Sequence, residues 1–200
     1  MTVTTSPIVL ASRSPRRAEL LRLLGVAYDI VDCDIDERQL DAETPVDYVR
    51  RVALAKAAWA RANGNERRIV VAADTCVSVG QEIFGKPVDF ADARRMLRRL
   101  GGGWHTVHTA VVVAGVDGPP QTEVVATRVE FVALDDPTIG AYWASGEPTD
   151  KAGAYGIQGL GGALVRRIEG SYSAVVGLPL AETAALLARA GVPHTLTIRT

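Results

Sequence analysis

The stretch IVLASRSPRRAELLRLLG, residues 8–25, passes from a short apolar run directly into a helical pattern. Residues 8–11 are typical of a buried strand, because the apolar run is short and uninterrupted. Ser14 is a favoured N-cap residue, Pro15 suits the first helical position, and Gly25 is a common stop. The stretch therefore predicts a strand followed at once by a helix, which is how an α/β fold commonly begins.

The rest of the chain continues this alternation. The next predicted elements are a strand over 28–37 that runs into an acidic loop, a helix from Thr44 and Pro45 to about Asn63 with Asp47 completing a capping box, and a β segment over 68–80 broken at Asp74 and Thr75. A helix over 90–100 capped by Asp89 and Asp92 follows, and then a hairpin over 104–115 and 122–134. The last predicted elements are a helix that Asp136 and Pro137 begin, a helix over 181–191 and a closing strand over 194–199. A hairpin in the middle and a βα pattern at the end indicate a mixed sheet. With no linker or repeat in sight, we expect one α/β domain over residues 1–200.

Composition excludes several classes of protein. Of 200 residues, 48% are hydrophobic and 22% are charged, which is typical of a soluble globular protein. The net charge of -1 gives no basic field for long nucleic acid, so any anion has to be bound locally. The two cysteines, Cys33 and Cys76, form neither a zinc motif nor a disulfide framework. No signal peptide or membrane-spanning run is visible, so we expect a cytoplasmic protein without a membrane partner.

Three arginines surround the start of the first predicted helix: Arg13, Arg16 and Arg17. Helix N-termini favour acidic side chains, because their free N–H groups carry partial positive charge. Arginines there cost helix stability unless an anion neutralises them, and a polyphosphate would do so. The alternative is an ordinary Ser-Pro cap with solvated arginines around it, and this stretch alone leaves both interpretations open.

Two further charged residues stand in apolar surroundings. Lys56 falls on the same helical stripe as Val49 and Val52, so its side chain either extends to the surface or faces a ligand. Asp74 ends the apolar run IVVAAD, and ligands of α/β sheets gather at the carboxyl ends of strands. A buried aspartate is costly unless it is paired or binds a metal, so Asp74 is either an arginine partner or a site residue.

The acidic loop DCDIDE supplies a second carboxylate. Glu37 is the first candidate, and Asp34 and Asp36 compete with it; the alternative for each is a solvated loop acid. Lys86 lies in GQEIFGKP, which fails as a phosphate-binding P-loop because Pro87 stands where the motif needs a serine or threonine.

The segment GEPTDKAGAYGIQGLGG, residues 146–162, is too long and too rich in glycine for a plain connection. Glycine lets a backbone approach a ligand closely, and Gln158 offers an amide donor and acceptor for the edge of a base. A glycine-rich turn held by packing of Tyr155 is the structural alternative.

Six segments together resemble the Maf family of nucleoside triphosphate pyrophosphatases. They are LASRSPRRAELL, AADT, GKP, GWHTVHTAV, GEPTDKAGAYGIQG and GSYSAVVGLPL, and they run in the family's order from residue 10 to residue 180. The resemblance implies a Maf/Ham1-like α/β fold, with an elongated mixed sheet flanked by helices and a deep groove between two lobes. It also implies hydrolysis of a nucleoside triphosphate to the monophosphate and pyrophosphate. DKAGAYGIQG resembles the branch that acts on dTTP and UTP, and the 7-methyl-GTP branch differs there.

The resemblance also implies roles for individual residues. Asp74 would be the proton acceptor, and Arg16, Thr75 and Gln158 would tune the choice of substrate. Chemistry at a triphosphate adds further expectations: Arg17, Lys56 and Lys86 bind phosphates beside Arg16, Ser12 donates a hydrogen bond, and Glu37 and Asp74 hold a divalent cation, Mg²⁺ or Mn²⁺. Arg13 stands where the family often has a small residue, which could alter the phosphate pocket.

Three other interpretations are open to test. A nucleotide sensor in septum formation would need the basic residues but not Asp74 and Glu37. Binding of single-stranded nucleic acid would need aromatic platforms, and aromatic residues make up only 6% of the chain. An enzyme acting on modified or purine nucleotides would keep the same chemistry. The resemblance also allows a homodimer.

Overall fold

A computed structural model describes residues 8–197, and in that range seven strands form one mixed sheet. The strands are β1 (Ile8–Ala11), β2 (Asp29–Val31), β3 (Ile69–Val79), β4 (Glu82–Phe84), β5 (Trp104–Ala114), β6 (Gln121–Phe131) and β7 (Val165–Glu169). Their order is β2-β1-β3-β5-β6-β7, with β4 paired to β3. β1 runs parallel to β2 and β3, and the other pairs are antiparallel. The expected α/β architecture with a mixed sheet is confirmed.

Six α-helices flank this sheet in the described range. They are α1 (Pro15–Leu23), α2 (Pro45–Ala60), α3 (Phe90–Leu100), α4 (Asp136–Ala144), α5 (Tyr172–Val176) and α6 (Leu180–Arg189). Five of them start at a side-chain cap in which Ser14, Thr44, Asp89, Asp135 or Ser171 accepts a backbone N–H three residues further on. Such a cap satisfies one of the free donors of the helix start and is worth about 1 kcal/mol. None of the described helices is both long and apolar enough to cross a membrane.

The buried side chains form three clusters around the sheet. One packs α1 and α6 against the face that carries Val71 and Ala73 of β3, and a second packs α2 against the face of Ala72 and Cys76. The third lies around α3 and α4 beyond Val77, at the other end of β3. Side chains of a strand alternate between faces. Asp74 therefore points toward α2, and Thr75 points toward α1.

One edge of β3 is interrupted, and this interruption positions the site. β5 pairs with β3 continuously from Val70 to Ser78. On the opposite edge, β1 pairs only as far as Ala72, and β4 pairs only from Val77 onward. Within the described range, residues 73–76 have no neighbouring strand on that edge, so a groove opens between two lobes of the core.

Several sequence-based boundaries were wrong. β3 is not broken at Asp74 and Thr75, because both keep ladder partners on β5. Asp74 lies within its strand, beside the carboxyl end of β1 rather than at the end of β3. The strand expected over 28–37 is only Asp29–Val31. The expected start of α4 is confirmed, because Asp136 is its first residue and Asp135 caps it.

The two remaining boundaries lie in the second helix and at the C-terminal end. α2 ends at Ala60 and continues as a π-turn over Arg61–Asn65. Residues 194–197 form a turn instead of the closing strand, and the rest of that strand lies outside the described residues.

Candidate functional site

The groove beside β3 has a volume of about 820 Å³ and gathers residues that are far apart in the sequence. Its walls include Ala11 and Val176 from one lobe and Val77, Val107 and Tyr155 from the other. All of the residues predicted from sequence as site residues line it: Ser12, Arg16, Arg17, Glu37, Lys56, Asp74, Thr75, Lys86 and Gln158.

A lysine with two carboxylates lies at the base of the groove. Nζ of Lys56 lies 2.7 Å from Oδ1 of Asp74 and 3.0 Å from Oε1 of Glu37. Lys56 and Asp74 are buried, whereas the side chain of Glu37 is 48% exposed. Burial raises the pKa of Asp74, and the positive charges of Lys56 and Arg17 oppose that rise. Lys56 thus neither extends to the surface nor stands alone, because its partner is the carboxylate on the facing strand.

The three acids of the loop after β2 differ in their position relative to the groove. Glu37 contacts Lys56, while Asp34 lines the groove without an ion pair to a described residue. Asp36 lies off the groove and pairs with Arg38 at 2.6 Å. The hydroxyl of Tyr48 donates to the backbone carbonyl of Glu37, which fixes this part of the irregular loop against α2.

Arg17 is held by neutral acceptors. Its guanidinium donates to the carbonyl of Gly177 at 2.9 Å, to Oγ1 of Thr75 at 3.1 Å and to Oγ of Ser12 at 3.3 Å. Burial lowers its pKa. Arg17 has no ion pair with a described residue, so its charge is available to an anion in the groove.

The hydroxyl proton of Thr75 is already used within the protein. Oγ1 of Thr109 donates to the carbonyl of Ala174 at 2.7 Å. The 3.1 Å contact between Thr75 and Thr109 therefore uses the hydroxyl proton of Thr75 as the donor. Thr75 accepts from Arg17 as well, so its direct effect in this structure is to orient the arginine. Sequence patterns could not reveal this relay, because its members lie on three separate elements.

The other cations differ in how they are paired. Arg13 is exposed and pairs with Asp32, away from the base of the groove. Arg16 lies 3.5 Å from Asp150, and Lys86 is exposed without an ion pair to a described residue. Ser14 caps α1 by accepting the N–H of Arg17, so the ordinary cap and the cationic groove occur together.

The glycine-rich segment forms the outer wall of the groove. Gln158 is exposed there and makes no hydrogen bond with a described residue. The hydroxyl of Tyr155 is buried against Nε2 of His105 at 2.8 Å, which agrees with the packing expected for this tyrosine. Oε1 of Glu147 accepts from the hydroxyl of Tyr142, a contact for which the sequence carries no spacing signal.

The residues present fit a divalent cation that is shared with substrate. No cluster of three or more His, Cys, Asp or Glu side chains suited to a metal occurs among residues 8–197. Mg²⁺ is commonly held by one or two carboxylates together with substrate phosphates. Asp74 and Glu37 each contact Lys56 through one oxygen, Oδ1 and Oε1, and the second oxygen of each carboxylate could serve as a ligand.

The fold and site define an α/β protein with a groove that is lined by cations and carboxylates around a buried ion pair. The chain belongs to the Maf family, whose model, described as Maf-like protein, matches residues 7–190. A dTTP/UTP pyrophosphatase of Anaeromyxobacter dehalogenans (strain 2CP-C) is 57% identical over 189 residues, which cover 93% of this chain and 95% of the relative. Another from Hahella chejuensis (strain KCTC 2396) is 52% identical over 187 residues, covering 92% of each chain.

Among solved structures, a HAM1 protein from Coxiella burnetii is similar in fold. The match has a TM-score of 0.51 and 17% identity, and it covers 91% of this chain and 98% of that one. At this identity the match bears on the fold alone, and it confirms the expected Ham1-like architecture.

Proposed function

We propose that this protein is a nucleoside triphosphate pyrophosphatase that acts on dTTP and UTP in the cytoplasm. The observation that carries the proposal is the buried pair of Asp74 and Lys56 at the base of a groove rimmed by Arg16, Arg17 and Lys86. The names of the relatives, at more than half identity over nearly the whole chain, support the reaction and the substrates.

The cations of the groove bind the triphosphate. Arg17 is pre-oriented by three neutral acceptors, so little side-chain freedom is lost when a phosphate replaces water beside it. The Oγ atom of Ser12 accepts from Ser14 and Arg17, which leaves its own proton to donate to a phosphate oxygen. Lys86 and Arg16 neutralise charge on the outer phosphates, which leave as pyrophosphate.

Asp74 takes the proton from the attacking water. Its burial raises its pKa above that of an ordinary aspartate, which makes it a stronger base at neutral pH. Lys56 keeps the carboxylate ionised and in place through its 2.7 Å contact. A divalent cation at Asp74 and Glu37, when bound, would lower the pKa of water and neutralise phosphate charge.

Gln158 reads the base. Uracil and thymine present the same alternation of acceptor, donor and acceptor, which a side-chain amide and backbone groups match in part. Its exposed amide has no hydrogen bond with a described residue and is therefore available to a ligand.

The test is release of pyrophosphate from a panel of nucleoside triphosphates with Mg²⁺ or Mn²⁺. The wild type should prefer dTTP and UTP, and Asp74→Asn should lower kcat by about 10²-fold or more. Asp36→Asn is the matched control, because Asp36 is an exposed acid off the groove. No release from any nucleotide, with nucleotide binding intact, would refute the enzyme and favour a sensor.

A further inference from the structure

The loop that carries Gln158 is fastened on both sides to one pair of side chains. On its N-terminal side, the N–H of Gly156 donates to the hydroxyl of Tyr142 at 3.1 Å. On its C-terminal side, Leu160 and Gly161 donate to the two carboxylate oxygens of Glu147 at 2.8 and 3.0 Å. The hydroxyl of Tyr142 donates to the same carboxylate at 2.7 Å, so one pair holds both ends.

The loop backbone lies directly on this pair. A Cβ atom at Gly159 would lie 2.1 Å from Oε2 of Glu147, and one at Gly161 would lie 2.4 Å from the hydroxyl of Tyr142. A side chain at Gly159 would displace the carboxylate of Glu147, and one at Gly161 would displace the hydroxyl of Tyr142 and also meet the backbone carbonyl of Gly156 at 2.5 Å. The positions of the carboxylate and the hydroxyl therefore determine the path of the backbone on either side of Gln158.

Gln158 has no hydrogen bond of its own to the described protein. The loop backbone alone positions its amide, so any displacement of that backbone displaces the amide as well. A recognition group held only by its backbone depends on the groups that support the loop.

We propose that Tyr142 and Glu147 are positioning residues that set Gln158 for a pyrimidine base and so determine base selectivity. The inference rests on the proposed function, since it assumes a nucleoside triphosphate in the groove. Glu147 accepts one backbone N–H on each oxygen, whereas a glutamine has a single acceptor oxygen. Glu147→Gln thus leaves one loop donor facing an amide NH₂ group and releases that side of the loop.

The experiment measures dissociation constants for the α,β-methylene analogues of dTTP and ATP. The enzyme cannot cleave these analogues between the α- and β-phosphates, so the measurement reports binding without hydrolysis. Glu147→Gln should raise the ratio of the dTTP-analogue to the ATP-analogue dissociation constant about tenfold, because one charge-assisted hydrogen bond is lost at the base end, whereas the lost carboxylate charge acts on both triphosphates alike. Tyr142→Phe should shift the same ratio in the same direction. Glu82→Gln is the matched control, since Glu82 is an exposed surface acid outside the groove.

Equal weakening of both analogues, or no change in either, would overturn the inference, because a general loss of structure or of charge acts on every triphosphate alike. A wild type that binds both analogues equally would also overturn it. If Glu147→Gln does not fold, Tyr142→Phe decides, since its ring remains in the core. Release of pyrophosphate by the wild type tests the proposed function separately.

Discussion

Lys56 is the residue on which the base of the groove depends. It is the hydrogen-bonding partner of buried Asp74, and it lies on the face of α2 that packs against β3. Removing one member of a buried ion pair leaves the other charge without compensation. Lys86 provides the contrast, because it lines the same groove but is exposed.

We therefore expect Lys56→Met to lower the free energy of unfolding by about 3 kcal/mol, since methionine keeps the apolar stem but not the charge. Lys86→Met should change it by less than about 0.5 kcal/mol and raise KM instead. Urea unfolding of both variants at neutral pH measures the difference. Equal stability of the two variants would mean that Asp74 does not need its partner.

His105 makes stability depend on pH. It is 2% exposed, and burial lowers its pKa to about 4. The unfolded chain has an ordinary imidazole, so it binds a proton that the folded protein excludes as the pH falls below 6.5. Stability from this group is present above that pH and is lost as the pH falls toward 4.

His105→Gln should remove this part of the acid sensitivity. Between pH 7.5 and 4.5, the wild type should lose about 2 kcal/mol more unfolding free energy than the variant does, as measured by urea titration at each pH. Carboxylates titrate in both proteins and cancel in the comparison. Parallel curves for the wild type and the variant would contradict the assignment.

At the scale of elements, the glycine-rich segment is attached to β3 by close packing. Gly153 has φ of +69°, and its N–H donates to the carbonyl of Gly85, one residue before Lys86. A Cβ atom there would lie 2.9 Å from Cγ2 of Val77. Gly146 has a similar φ of +76° but open space around it.

This pair of glycines separates backbone strain from packing. Gly146→Ala should cost about 1 kcal/mol for the left-handed backbone alone. Gly153→Ala should cost about 1–3 kcal/mol more, because it also pushes the segment away from Val77. Thermal or urea unfolding measures both costs. Equal losses of unfolding free energy in the two variants would show that the segment can move away from Val77 without loss of stability.

Elements with local signals could be predicted from the sequence. Ser14 and Pro15 start α1 through contacts within a few residues, and the apolar run of β1 identifies it as buried. The continuity of β3 through Asp74 could not be predicted, because it depends on a partner strand more than 30 residues away. Nor could the sequence predict that Glu37 and not Asp36 lies at the base of the groove, because this position depends on the contact of Glu37 with Lys56 on another element.

The site shows the same division. Residue type and local setting indicated Lys56, Asp74 and Glu37, which line the groove, whereas Thr75 was expected only from the family resemblance. The orienting contacts were not accessible in this way: Thr109 acts on Thr75 across the sheet, and Glu147 acts on the loop of Gln158 through backbone amides. Such contacts follow from tertiary packing, and no spacing in the sequence encodes them.

At the scale of the whole molecule, the groove is balanced in charge, although the proposed function requires it to bind a polyanion. Among the described residues that line it, six cations face six carboxylates: Arg13, Arg16, Arg17, Lys56, Lys86 and Lys151 against Asp32, Asp34, Glu37, Asp74, Glu147 and Asp150. The net charge of the chain is -1, so no long-range field compensates. A triphosphate entering alone would meet as many negative groups as positive ones.

This balance predicts that tight binding of nucleotide requires a divalent cation. With Mg²⁺ and the α,β-methylene analogue of dTTP at about 100 times its dissociation constant, Tm should rise by about 5–10 °C. With EDTA in place of Mg²⁺, the same nucleotide concentration should raise Tm by only a small fraction of that, because the carboxylates then repel the phosphates. Mg²⁺ without nucleotide is the control for the ion itself, and Glu37→Gln should narrow the gap between the two conditions by removing one carboxylate from the base of the groove. Equal rises with Mg²⁺ and with EDTA would mean that the arginines and lysines alone neutralise the triphosphate, and the two carboxylates would then need another role.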